Sequence, residues 1–391
     1  MLRAHPIRRI ALLVAPALLA AAVGCREDDV SPTAPDLTSG QSVAAAAVPL
    51  SFRHIGTGDW GACGVTTDNR AFCWGNFVIR PTAVATGLRF LEVRPGLQFT
   101  CGLTTDSRIF CWGSNTRGQL GNGSTVDSSA APVEVKGNRR WSLLRVGQNH
   151  SCANTISGVS FCWGGNTYGQ LGNGTTTDRR APAKVSGGLE LVRVSAGAAH
   201  TCGVTASHQA YCWGFNNHGQ LGDGTSNQRL VPIGVKGGLA FAVIAANGTQ
   251  SCGVTTGHAA YCWGTGSNGV LGYGGTGRRG RPVAVAGGLE FSGVSTGSAH
   301  SCGVTTAGRV YCWGFNGNGQ IGDGTDLNSR LTPVPVASGP RFNSVLASRG
   351  AFTCGVGRDN RGYCWGTNNL GQLGDGTTQD RSVPTAVAPP S

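Results

Sequence analysis

Between residues 287 and 336 apolar and polar positions alternate in short runs. Leu289-Glu290-Phe291, with Val294 beyond, has the period of two expected of a half-buried strand. Residues 301–305 and 309–313 flank a short centre and predict a hairpin. Residues 317–325, rich in Gly, Asn and Asp, predict a loop. Residues 331–336 predict a further strand, whose prolines suit an edge or a strand start. A helical period appears nowhere in the chain that follows the N-terminal segment.

This unit recurs. Cys-Trp-Gly occurs seven times, with its cysteine at Cys73, Cys111, Cys162, Cys212, Cys262, Cys312 and Cys364. Each has a second cysteine ten positions earlier: Cys63, Cys101, Cys152, Cys202, Cys252, Cys302 and Cys354. Four short strands per unit and seven units predict an all-β chain, a seven-bladed β-propeller of four-stranded blades. The first two repeats start 38 residues apart and later ones 50 to 52, because the first lacks the segment others carry as Gly-Gln-Leu-Gly. Residues 50–55 match 289–294, and the chain ends on a proline-bearing strand at 382–387 with no unit after it. The two ends are therefore expected to share one blade and seal the ring, which removes open sheet edges.

Each hairpin has a three-residue loop, which places its two cysteines directly opposite one another. The third loop position must be left-handed. It holds Asn69, Ser107, Gly158, His208, His258, Gly308 and Asn360, of which all but Ser107 tolerate positive φ well. Counted outward from the loop, the cysteines fall on a non-hydrogen-bonded pair, where strands approach most closely. Seven local disulfides follow, one per blade. The alternative, metal binding, has only half a zinc site per pair and no second ligand pair at regular spacing.

The leader changes the picture of where the chain works. Arg3, Arg8 and Arg9 precede an apolar run from Ile10 to Val23, which ends in Ala22-Val23-Gly24-Cys25. Residues 1–25 read as an export signal, and the small residues before Cys25 resemble a bacterial lipoprotein cleavage box. Cys25 is also the one cysteine without a partner in the pairing scheme. Residues 26–49 read as a flexible tether, and 50–391 as the propeller. Export and lipid anchoring to the cell envelope, at the outer membrane or cell surface, agree with a chain rich in disulfides. The net charge of +12 belongs partly to the leader, and no dense basic tract follows it.

His300-Ser301-Cys302-Gly303-Val304-Thr305 and the stretch from Tyr311-Cys312-Trp313-Gly314 to Asp323-Gly324-Thr325 resemble the regulator-of-chromosome-condensation repeat. The resemblance spans residues 50–391 and implies a closed seven-bladed propeller. The family's best-known role is nucleotide exchange on a nuclear GTPase at chromatin, from which the leader removes this chain. Secreted bacterial relatives inhibit β-lactamases by covering the active site with one propeller face. The resemblance thus implies an extracellular protein-binding disc without naming its target.

Candidate chemistry is sparse. His150, His200 and His300 share one repeat position, and such multiplicity points to a structural hydrogen bond rather than catalysis. Asp223, Asp323 and Asp375 begin Asp-Gly-Thr turns without the closely spaced acids of an EF-hand, and recurring Arg179, Arg229, Arg330 and Arg381 suggest Asp–Arg pairing or a backbone clamp, with an anion-binding ring as the alternative. Neither a catalytic triad nor a phosphate-cradling loop emerges, so the expectation is a binding scaffold, not an enzyme, with no cofactor and no metal. Recognition residues are sought where the repeats differ in inter-strand loops: Arg117, Tyr168, Phe215, His218 and Phe315. The expected partner is a protein on one face. A glycan is the alternative, to be sought at Trp60 and Trp141, the tryptophans outside the repeated motif. Nucleic acid is not expected, and membrane contact is expected only through the N-terminal lipid.

Overall fold

The computed structural model describes residues 48–390. The predicted leader, the lipidation site Cys25 and nearly all of the tether lie outside the described residues. Seven four-stranded antiparallel sheets follow one another around a ring, each with its strands in chain order. Blades 1 to 7 occupy residues 52–83, 90–134, 141–184, 191–234, 241–284, 291–335 and 342–386. In blade 6 the strands are Phe291–Thr296, His300–Thr305, Val310–Gly314 and Arg330–Pro335. Among the described residues, every regular element is a strand apart from one short 3₁₀ turn at Ser267–Gly269.

The hairpin register is the predicted one. Cys302 lies opposite Cys312 and Val304 opposite Val310, with the same pairing in every blade. All seven cysteine pairs are bonded, their Cα atoms 4.0 to 4.1 Å apart. The seven third-loop residues all have positive φ, including Ser107 at 65°.

The expected closure by a blade shared between the two chain ends is not what forms. The last strand, Arg381–Ala386, pairs with Gly362–Gly366 of its own blade, and blade 1 supplies its own outer strand, Val78–Ala83. The first repeat lacks only the loop between its third and fourth strands, not the fourth strand. A turn of two left-handed residues, Asn76 (φ 50°) and Phe77 (φ 73°), connects them directly. Such a turn follows the twist of a tight hairpin, so a complete sheet forms locally. The ring closes by packing: Phe52, Ile55 and Trp74 of blade 1 share a core with Phe352, Val356 and Leu373 of blade 7. The Phe52 N–H also donates to Asn360 O at 2.6 Å.

Between blades the core repeats. The inner strand starts with a large apolar residue, such as Phe52, Phe241 or Phe291, that is buried against the tryptophan of its own Cys-Trp-Gly. Trp141 takes this place in blade 3, 2% exposed and 6.0 Å from Trp163, which removes it as a sugar platform.

Candidate functional site

The loop between the third and fourth strands decides how neighbouring blades join. In blades 2 to 7 it crosses to the next blade and buries Leu120, Leu171, Leu221, Leu271, Ile321 or Leu373 at 0 to 1% exposure. Each shares a core cluster with the next blade's tryptophan. The residue before it turns its carbonyl onto that indole: Trp163 Nε1 donates to Gln119 O at 3.0 Å, and Trp213 Nε1 to Gln170 O at 2.9 Å. Trp74 Nε1 donates in the same way to Gln372 O across the ring closure, at 3.0 Å. The glycine after the aliphatic residue lies flat on the ring; a Cβ on Gly172 (φ 68°) would stand 2.6 Å from Trp213 Nε1.

An asparagine ties the loop's base. Asn166 Oδ1 accepts from Leu171 N at 2.9 Å, and its Nδ2 donates to Thr175 O and Thr177 O. Asn115, Asn216, Asn316 and Asn368 stand likewise, all buried. Their signal in the sequence is Cys-Trp-Gly-x-Asn, which recurs in five repeats. The expected Asp–Arg pairs are present, with Asp223 on Arg229 and Asp375 on Arg381 at 2.8 Å, and Asp323 on Arg330 at 2.6 Å.

The three histidines are structural, and their hydrogen bonds run between blades. His150 Nε2 lies 2.9 Å from Thr201 Oγ1, which donates to Gln170 O at 2.8 Å. The hydroxyl's proton is thereby committed, so Nε2 carries the imidazole proton and donates. His200 with Ser251 and His300 with Thr353 repeat the relay at 2.9 Å. Burial pushes His150 and His300 down to about 3 and His200 to about 4. For His150 and His200 the buried Nδ1 also has no partner, so protonation would strand a charged donor there.

On the outer surface of these loops the structure joins four of the five candidate recognition residues. Tyr168 and Phe215 have ring centroids 4.8 Å apart, and Phe215 lies 6.1 Å from His218. Arg117 Nη1 donates to Thr167 Oγ1 at 3.1 Å, beside Tyr168. Phe315 stands apart in blade 6, half-buried.

The channel along the axis is narrow, about 220 Å³, and lined by Thr57, Arg94, Arg145, Ser195, Thr296 and Arg349 among others. Glu92 pairs there with Arg94 at 2.8 Å and Arg145 at 3.2 Å. Burial acts most strongly on Glu92 and would raise its carboxyl, but the charges of Arg94, Arg145 and His54 outweigh it and hold the group at about 2. Among the described residues, no three His, Cys, Asp or Glu side chains gather as metal ligands. Nor is any helix among them long and apolar enough to cross a membrane.

Fold and site together define a disulfide-stapled repeat propeller whose loops latch six of the seven blade interfaces and present their outer side chains on one face. The model of the regulator of chromosome condensation (RCC1) repeat matches residues 106–153, 157–204, 207–253, 307–356 and 359–391, and a second model of this repeat matches 191–220 and 291–320. The chain belongs to the RCC1 repeat family. Among solved structures it is similar to human WBSCR16, with a TM-score of 0.73 at 19% identity over 80% of this chain and 85% of that one. It is similar also to Prp20p of Saccharomyces cerevisiae, a protein with binding properties toward Gsp1p and histones. There the TM-score is 0.72 at 20% identity, over 83% of this chain and 87% of that one. At such identities the likeness is one of fold. No curated protein matches the sequence.

Proposed function

We propose that this chain is an exported, lipid-anchored propeller that binds a protein partner through its loop face and carries out no catalysis itself. The observation that carries the reading is the run Tyr168–Phe215–His218, with Arg117 beside it. It places aromatic and guanidinium groups at the surface of a frame cross-linked in every blade and latched at six of its seven interfaces. Rigid aromatic side chains bind with little loss of conformational freedom, and Arg adds directional hydrogen bonds and charge, which is why both are enriched among interface hot spots. Seven disulfides suit an oxidising compartment, and a lipid on Cys25 would hold the propeller at the envelope. Prp20p binds Gsp1p and histones, so this fold serves elsewhere as a protein-binding disc.

The test is capture of envelope and secreted proteins on the immobilised full chain. One protein should be retained by the wild type and lost with Tyr168→Ala plus Phe215→Ala, while the variant's thermal denaturation stays unchanged. Retention of an equal set of proteins by both chains would refute the assignment. A second reading, glycan binding, is favoured by Trp60, which is 41% exposed and lines a cleft between blades 1 and 2. Binding on a glycan array that is lost with Trp60→Ala would select it.

A further inference from the structure

A cleft of about 1050 Å³ lies between blades 1 and 2, where the latching pattern is broken. Six of the seven interfaces are filled by a loop from the preceding blade that buries an aliphatic side chain in the core, and at five of them the loop also sets a carbonyl on the indole. Blade 1 has only Asn76 and Phe77 at that point, so the seat on blade 2 has no occupant from its own neighbour. Trp112, the tryptophan that would receive the loop, is only partly buried and lines the cleft. Thr100 lines it as well. Four of its counterparts, Thr201, Ser251, Ser301 and Thr353, donate to the incoming loop carbonyl, at 2.8 to 3.0 Å. The core of blades 1 and 2 contains Val65, Phe90 and Val93, with Trp112 and Leu88 of the inter-blade connection at its margin, but no aliphatic residue from a latching loop. Apolar side chains also crowd the rim: Trp60 and Val78 are 41% and 42% exposed, and Phe77 in the adjoining turn is 77% exposed.

We propose that this open seat is a docking site for a loop of a partner protein that imitates the missing latch: a glycine-flanked turn carrying Leu or Ile. The occupant's chemistry is written six times in the same molecule. A main-chain carbonyl would accept from Trp112 Nε1 and Thr100 Oγ1. The next residue, aliphatic, would bury beside Trp112. A glycine must follow, because at the filled seats a Cβ there would stand 2.5 to 2.8 Å from the indole. A second copy of this chain is a poor occupant, since its own such turns are already buried in its own ring. A sugar would stack on Trp60 and Trp112 but would bring no aliphatic group for the apolar floor. The inference rests on the protein-binding reading and narrows it to one ligand shape.

The experiment uses the full chain and two probes. The first is a cyclised peptide of residues 166–175 (Asn-Thr-Tyr-Gly-Gln-Leu-Gly-Asn-Gly-Thr), with binding followed by the indole N–H resonance of Trp112. Saturable binding is expected. Leu→Ala at the peptide's sixth position should weaken it about tenfold or more, as loss of a buried aliphatic side chain requires. Ala131→Trp, at an exposed position on the cleft wall, should block it without touching the core. The second probe replaces Asn76-Phe77 with residues 165–178, giving blade 1 a latch of its own. The grafted chain should slow exchange of the Trp112 indole proton and no longer bind the peptide.

The proposal is overturned if the peptide fails to bind the folded chain and the graft leaves Trp112 exchange as fast as before. It is equally overturned if an oligosaccharide shifts the Trp112 resonance while the peptide does not, or if the graft merely dissociates a dimer. A captured partner lost with Tyr168→Ala plus Phe215→Ala but retained by the graft would remove the seat and leave the proposed function standing.

Discussion

Acid should destabilise this propeller through its buried histidines, and the size of the effect follows from the blade contacts. His54, His150, His200 and His300 are held neutral, with burial pushing them down to about 3 or 4 against 6.5 for the free side chain. Below pH 6.5 the unfolded chain takes up a proton at each of them and the native chain does not. The stability they permit is therefore complete above 6.5 and is lost progressively as the pH falls toward the folded values. At pH 5.5, one unit below the free value, each costs about 1.4 kcal/mol and the four together about 6 kcal/mol. That is a large share of the roughly 5–15 kcal/mol typical of a folded domain. Glu92 does not interfere in this window. Its depressed carboxyl contributes stability above its ordinary 4.5, which is lost only as the pH falls from there toward 2. Urea denaturation at pH 7.5, 6.5 and 5.5, with the disulfides intact and tryptophan emission as the signal, measures the slope. The molecule supplies its own control. Blade 5 has Gln250 where blade 4 has His200, and its Nε2 donates to Gly297 O at 2.7 Å. His200→Gln should fold and lose about one quarter of the pH dependence. A midpoint unchanged between pH 7.5 and 5.5, or a slope unaltered by His200→Gln, would refute the reasoning.

The latch leucine is fully buried, so Leu171→Ala should cost about 2–5 kcal/mol in denaturant titrations. An exposed residue of the same loop, Thr167→Ala, should cost little. Removing one staple by Cys202→Ser with Cys212→Ser should lower stability by about 2–3 kcal/mol, as expected for so short a closed loop. Alkylation of the unfolded, unreduced chain should label none of the fourteen paired cysteines; labelling of several in a peptide map would contradict the pairing. Asp223→Ala strips acceptors from Arg229, Thr225 and Asn216 around a buried carboxylate and should cost about 1–3 kcal/mol.

Local order was readable from the chain. Alternation in residues 289–294, glycine, asparagine and histidine at the third hairpin position, and cysteines ten apart specify a hairpin and its bridge without reference to anything distant, because the interacting groups lie within one turn of each other. Pairing of Asp223 with Arg229 was visible for the same reason. The shared-blade closure was misjudged because the proline-bearing strand of the first repeat, 78–83, follows its hairpin after two residues instead of a long loop. With that strand hidden, only the chain ends indicate the repeat's phase, and they suggest a split blade.

What the amino-acid order determines alone is the blade: four strands, one disulfide and a loop rich in Gly and Asn, all set by contacts between near neighbours in the chain. Only the assembled ring decides what those loops do. Trp163 meets Gln119 and His150 meets Thr201 across about 50 residues, and only because consecutive sheets stack at a fixed angle. By the same logic a deletion that looks like a shortened loop in blade 1 becomes, in three dimensions, an open seat on blade 2.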